Sequence, residues 1–341
     1  MGHPARLMRR ILTWLIVLAL VGGIGYTVYV GFEGSRQAVS VDEARSEDCR
    51  TPDIIGGWTY EAINYDVADD AALKAANADM TNCTSQGAEA GELLISADGE
   101  TRLAGWYVPA ASGIGPEGPT IVLVHGYAAN KSDILGYAAG LHQDFNLVAF
   151  DLRNGGRSTG TQTTYGVREQ DDLRAVIDWV EREKGPAWIG VLGNSMGAAT
   201  AITEARTDDR VRALALDSMH TRLAYQFERR LERAGHPAYP GTWAIFAGAW
   251  VRTGGLDLGS ADPADAIADL GARPVLLTHG SADDENRLER TETFRDDLAA
   301  AGVPVELQVC DGAGHGLVDD VCPDALATWL RDFFTRALNA Q

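Results

Sequence analysis

Cysteine is scarce in this chain, with four in 341 residues. None sits in a C-x-x-C pair or at the Cys/His spacing of a zinc site, so no metal is implied. Basic residues are also in short supply, 29 against 48 acidic ones, for a formal charge of −19. Such a surface repels phosphate, and no nucleic-acid partner is expected. Internal repeats and low-complexity tracts are missing too. With 45% hydrophobic and 23% charged residues, the composition is that of a packed globular protein. The length suits one large α/β domain plus extras, or two small domains.

Against that background one long apolar run stands out. Residues Ile11 to Phe32 carry no charge, and a helix of that length reaches roughly 33 Å, enough to cross the hydrocarbon core of a bilayer. Arg6, Arg9 and Arg10 precede it and Glu33 follows. The positive-inside rule then leaves residues 1–10 in the cytoplasm and the rest of the chain on the extracytoplasmic side of a single-pass anchor, 11–32. A cleaved signal peptide is the rival. Its apolar core is normally shorter and ends in a small-x-small site, which Gly23-Ile24-Gly25 imitates poorly. In an exported chain the even cysteine count favours disulfides, and the sequence-local pairs are Cys49 with Cys83 and Cys310 with Cys322.

Residues 33–90 are polar, acidic and weakly periodic, and read as a juxtamembrane stalk with one short helix over Asp69–Ala78. Asn82-Cys83-Thr84 and Asn130-Lys131-Ser132 match the glycosylation sequon. A domain of 91–341 follows. Leu93–Ser96, Asp98-Gly99 and Leu103–Val108 predict a hairpin. Apolar, β-branched runs recur at Thr120–Val124, Leu147–Phe150, Trp188–Leu192, Ala213–Leu216, Val275–Thr278 and Val305–Val309. Helical periodicity lies between most of them, notably over Val167–Arg182. The alternation predicts an α/β domain with a mostly parallel sheet covered by helices on both faces. One interval, about 219–265, is too long for a plain crossover and rich in Tyr225, Phe227, Tyr239, Trp243, Phe246 and Trp250. It reads as a small helical cap.

The chemistry centres on Gly193-Asn194-Ser195-Met196-Gly197, between the strand run ending at Leu192 and a small-residue helical stretch from Ala198 to Ala205. A G-x-S-x-G at a strand-to-helix junction is the nucleophile elbow, whose tight turn excludes bulk two residues either side of the serine. Acyl transfer through serine also needs a base, an acid to orient it, and donors for the oxyanion. His315 follows the last predicted strand in a glycine-rich loop. Asp283 follows the penultimate one, with Asp284 beside it and Asp217 after an earlier strand as open alternatives for the acid. The loop after Val124 should supply one oxyanion N–H from Tyr127, and Met196 the other. His125 in that loop, with Trp243 and Phe246 in the cap, are candidates for contact with substrate.

The chain resembles the α/β-hydrolase superfamily from about Gly91 to its end. The matching segments are Val122 to Lys131, Phe150 to Ser158, Gly193 to Gly197, Leu277 to Asp283 and Gly312 to Gly316. They look like the serine aminopeptidase-like or dienelactone-hydrolase-like branch, which has small membrane-anchored members. The resemblance implies an α/β-hydrolase fold and esterase, thioesterase or peptidase chemistry without a cofactor. Relatives commonly carry a His-Gly pair where this chain has Asn154-Gly155-Gly156, and no Val-Pro follows Asp283. No carboxylate cluster marks recognition of a free amino terminus, which tilts the expectation toward a carboxylic ester or thioester on a small or lipid-like acyl substrate. A peptidase or acyltransferase on the same triad, and a non-catalytic binding protein on this scaffold, are the alternatives. Oligomeric state is not legible.

Overall fold

Continuous apolar runs suit strands whose two faces are both covered, and here they form the centre of a sheet. The structure, a computed structural model, describes residues 3–40, 50–64 and 99–340. The described residues divide into two compact units, Ser40–Gln226 with Leu258–Gln341, and Met1–Val39 with Phe227–Asp257.

The larger unit holds strands β1 (Glu61–Ile63), β2 (Gly105–Val108), β3 (Thr120–Val124), β4 (Asn146–Phe150), β5 (Ile189–Asn194), β6 (Val211–Asp217), β7 (Val275–Gly280) and β8 (Val305–Cys310). They lie in the order β1-β2-β4-β3-β5-β6-β7-β8, parallel from β4 to β8 and antiparallel at β1 and β2. On one face Ile121, Leu123, Leu147 and Ala149 join a buried cluster with side chains of two helices, Lys131–Leu135 and Pro323–Asn339. The helices Glu169–Lys184 and Met196–Ala205 pack against each other, and the second of them packs on β5 and β6. Glu169–Lys184 begins two residues later than its periodicity predicts, with acidic Glu169, Asp171 and Asp172 in its first turn and Gly185 closing it in the left-handed region.

Two expectations change here. Residues 50–64, read as stalk, belong to the sheet unit: Glu61–Ile63 pairs with Tyr107–Gly105, and Trp58 stacks on His142 at 4.4 Å. The outer edge of β2 is thereby taken by β1, while Leu93–Ser96, the other arm of the expected hairpin, lies outside the described residues. A three-residue strand is too short to show period-two alternation, and its pairing is decided by distant register. The Asn130 sequon is also corrected. Asn130 is buried, and its side chain caps the helix that follows by accepting from the Ser132 N–H at 2.8 Å, leaving no room for a glycan. Asn82, the Asp69–Ala78 helix and the Cys49–Cys83 pair lie outside the described residues.

Cys310, the last residue of β8, is disulfide-bonded to Cys322 at a sequence separation of 12. A ring of that size stabilises the fold by about 3 kcal/mol on the loop-entropy account. Replacing both cysteines by serine should therefore lower the free energy of unfolding in urea by about that much, read as a lower midpoint. A midpoint that stays put would show the bridge to be energetically idle.

In the smaller unit a 37-residue helix, α1 (His3–Val39), continues the predicted apolar run by two turns, and its stretch Met8–Val39 is long and apolar enough to cross a membrane. The helical interval foreseen as a cap is there as Leu223–Arg233, mostly in this unit, and Ala238–Arg252, which packs on α1.

Candidate active site

Ser195 sits between the last residue of β5 and the first of the next helix, with φ 51° and ψ −114°. That strained backbone exists because its neighbours leave no alternative. A Cβ on Gly193 would stand 2.5 Å from the Gly197 carbonyl oxygen, and one on Gly197 would run into the carbonyl of Val124. Both glycines are therefore demanded by the close approach of β3, β5 and the helix. The Ser195 N–H donates to the Asp217 carbonyl at 2.8 Å, tying the turn to β6.

The structure brings the three separated side chains together. Ser195 Oγ lies 2.9 Å from His315 Nε2, and His315 Nδ1 lies 2.8 Å from Asp283 Oδ2. A carboxylate can only accept, so Nδ1 carries the proton and Nε2 presents a lone pair to the serine hydroxyl. Burial alone would lower the His315 pKa; the hydrogen bond and charge of Asp283, then the charges of Glu285 and Asp217, outweigh it and raise the value above the ordinary histidine range. Asp283 is buried, and its Oδ1 accepts the N–H groups of Glu285 at 2.9 Å and Asn286 at 2.8 Å. These bonds fix the carboxylate's angle toward the imidazole.

The alternative acids go elsewhere. Asp284 is exposed. Asp217 is buried and accepts from Thr278 Oγ1 at 2.6 Å and from Asn194 Nδ2 at 2.8 Å. Its pKa is raised, chiefly by burial. Tyr137 completes this cluster: its hydroxyl stands 3.1 Å from Asp217 Oδ2 and 3.3 Å from the Gly316 carbonyl, and accepts from Asn194 Nδ2 at 3.0 Å. Sequence reasoning missed Tyr137, which carries no motif, and passed over Asn194, although it lies inside one.

Met196 opens its helix, so its N–H is one of the donors that helix geometry leaves without an internal acceptor. Tyr127 follows Gly126 just beyond β3, and a Cβ on Gly126 would lie 2.9 Å from Asn194 Oδ1 and 3.4 Å from Ser195 Cβ. The Tyr127 loop is thus laid directly against the elbow. The Tyr127 ring stacks on Tyr165 with centroids 5.3 Å apart.

His125 is a correction. It is buried, its Nδ1 donates to the Gly126 carbonyl at 2.8 Å, and its Nε2 accepts from the Leu152 N–H at 2.9 Å. Because Nε2 accepts a backbone N–H the ring is neutral, burial lowers its pKa in the same sense, and both nitrogens are spent on backbone. It shapes the loop and has no nitrogen to offer a substrate. Nearby, Lys131 Nζ donates to Asp151 Oδ2 at 2.7 Å in full burial, with further bonds to that carboxylate from the Lys131 and Arg157 N–H groups. The two segments Val122–Lys131 and Phe150–Ser158 are thus joined by one buried ion pair. Trp243 and Phe246 belong to the smaller unit, where Trp243 is exposed and Phe246 packs edge-on against Phe227. Among the described residues no group of three or more His, Cys, Asp or Glu is placed to hold a metal ion.

Comparison with known proteins agrees with the fold. The profile of a family described as alpha/beta hydrolase fold matches residues 119–258. An uncharacterised Mycobacterium tuberculosis protein is 30% identical over 227 residues, 66% of this chain and 72% of that protein. The uncharacterised protein YfhR of Escherichia coli K12 is 27% identical over 251 residues, 71% of this chain and 79% of YfhR. Among solved structures, the Pyrococcus furiosus esterase Pf2001 superposes with a TM-score of 0.62 at 21% identity, covering 84% of this chain and 94% of its own.

Proposed function

We propose, for a chain that belongs to the α/β-hydrolase superfamily, that it hydrolyses carboxylic esters or thioesters through Ser195, His315 and Asp283. The observation that carries this reading is the unbroken relay from Ser195 Oγ through the imidazole to a buried, doubly anchored carboxylate. His315 Nε2 takes the hydroxyl proton as Ser195 Oγ bonds to the carbonyl carbon. The carbonyl oxygen gains the negative charge, which the N–H groups of Tyr127 and Met196 stabilise. Collapse breaks the bond to the alcohol or thiol, which leaves with the proton from His315. Water repeats the cycle on the acyl-enzyme and releases the acid.

A negative oxygen develops next to an imidazolium, and Asp283 keeps that cation favourable; the raised His315 pKa supports the same assignment. The α1 helix serves as a membrane anchor with residues 1–10 cytoplasmic, and the Cys310–Cys322 bond fits the oxidising side for the remainder. A fluorophosphonate probe combined with p-nitrophenyl esters of increasing chain length tests the reading, with a peptide anilide as control. Expected are labelling at Ser195, ester turnover with a chain-length optimum, and no anilide cleavage. A folded protein that neither labels nor turns over any ester would overturn it.

A further inference from the structure

The helix Ala238–Arg252, here α7, is broken at Tyr239, whose φ of −106° and ψ of 134° are not helical. From Pro240 on it has no charged residue before Arg252 and is apolar on more than one side. One side packs on α1 through small residues. A Cβ on Gly31 would fall 2.8 Å from the Ala244 carbonyl oxygen, and one on Gly248 would fall 2.6 Å from the Gly31 carbonyl oxygen. Gly34 is equally close to the Ile245 side chain, and Arg252 donates to the Phe32 carbonyl at 3.1 Å and to Ser35 Oγ at 3.0 Å. Backbones brought this close by glycine and alanine are the usual packing of helices in lipid.

The other side is left open. Tyr239 is 84% exposed, Trp243 66%, Trp250 55% and Val251 71%. Trp243 and Trp250 are seven residues apart and share one face. A surface helix in water normally turns charge outward, as the neighbouring Leu223–Arg233 does with Glu228, Arg229, Glu232 and Arg233. An exposed face of two indoles and a valine, with the exposed Tyr239 phenol at the break before it, has the composition of a membrane-interface belt.

Its height along α1 fits. Counting ~20 residues of hydrocarbon core from Ile11 places the boundary near residues 30–32. The α7 contacts fall on Val30, Gly31, Gly34 and Ser35, and the exposed aromatics of α1 itself, Tyr29 and Phe32, lie at the same level. From Gly241 to Arg252 the partners on α1 advance only from Val30 to Ser35, so α7 crosses α1 obliquely and keeps both indoles at similar depth.

We propose that α7 is an interfacial helix whose Trp243 and Trp250 face is seated in the boundary between headgroups and acyl chains of the bilayer that α1 crosses. The inference rests on the reading of α1 as the anchor. The full chain is placed in lipid nanodiscs whose lipids carry bromine either near the headgroup end of the acyl chain or near its terminal methyl. Tryptophan emission is compared for the wild type and the Trp243→Phe, Trp250→Phe and Trp14→Phe variants, with circular dichroism confirming the fold. If either phenylalanine variant melts early, the corresponding tyrosine variant replaces it. Trp243 and Trp250 should each account for a quenched share of emission, larger with the shallow bromines than with the deep ones. Quenching of Trp14 with none at Trp243 or Trp250 overturns the proposal and leaves the anchor standing; aqueous acrylamide then tells whether water or a second copy covers the face. No quenching at Trp14 would overturn the anchor, and this inference with it.

Discussion

Ser195→Ala should lower kcat for ester hydrolysis by roughly 10⁶-fold, the scale on which a triad fails when its nucleophile is removed. KM should change little, because the hydroxyl contributes in the transition state rather than to ground-state binding. The fold should survive, since alanine keeps the Cβ that the left-handed turn already tolerates and the Ser195 N–H to Asp217 bond is backbone. Stopped assays at high protein concentration, alongside a melting curve, check this. Turnover within tenfold of wild type, from a preparation free of contaminating esterase, would remove Ser195 from the mechanism.

The second large effect belongs to Asp283→Asn, expected to lower kcat by about 10⁴-fold. An amide in that position can donate to Nδ1, which favours the tautomer with its proton on Nε2, facing the serine. The pH profile should move as well. His315 must be neutral to accept the serine proton, so activity falls as pH drops through its pKa. The hydrogen bond and charge of Asp283 raise that pKa against the opposing effect of burial, so without the carboxylate the acidic limb of kcat/KM shifts to lower pH while the plateau collapses. Asp284→Asn, at the exposed neighbour, should leave both nearly as they were. An Asp284 variant with the larger loss would reverse the assignment.

That contrast shows where sequence reasoning ran out. Ser195, His315 and the acid were each legible because parallel strands end together, so residues just after β5, β7 and β8 meet at one edge. Its place after the strand favours Asp283 over Asp284, but the reason one of two adjacent aspartates turns inward was not legible. The choice is made by the turn, in which the Asp283 N–H donates to the Gly280 carbonyl and its carboxylate accepts from the two residues beyond Asp284. His125 misled for the opposite reason. A histidine at a strand's carboxyl end has a suitable address, but only coordinates reveal that Gly126 and Leu152 already occupy both nitrogens. Tyr137 gave no signal because one hydroxyl among apolar neighbours has no pattern. The apolar run stopped at Phe32 while α1 did not; the Glu33–Arg36 pair at 2.9 Å and the small residues facing α7 carry the helix on to Val39.

The strand Glu61–Ile63 bears on any attempt to work with a trimmed version of the protein that lacks α1. A cut at residue 91, where motif recognition begins, would strip β2 of its outer neighbour and pull Trp58 away from His142. Bare N–H and C=O groups along β2 would then be open to pairing with another molecule, and precipitation during purification would be the natural result. A start upstream of Thr51 keeps that seam sealed.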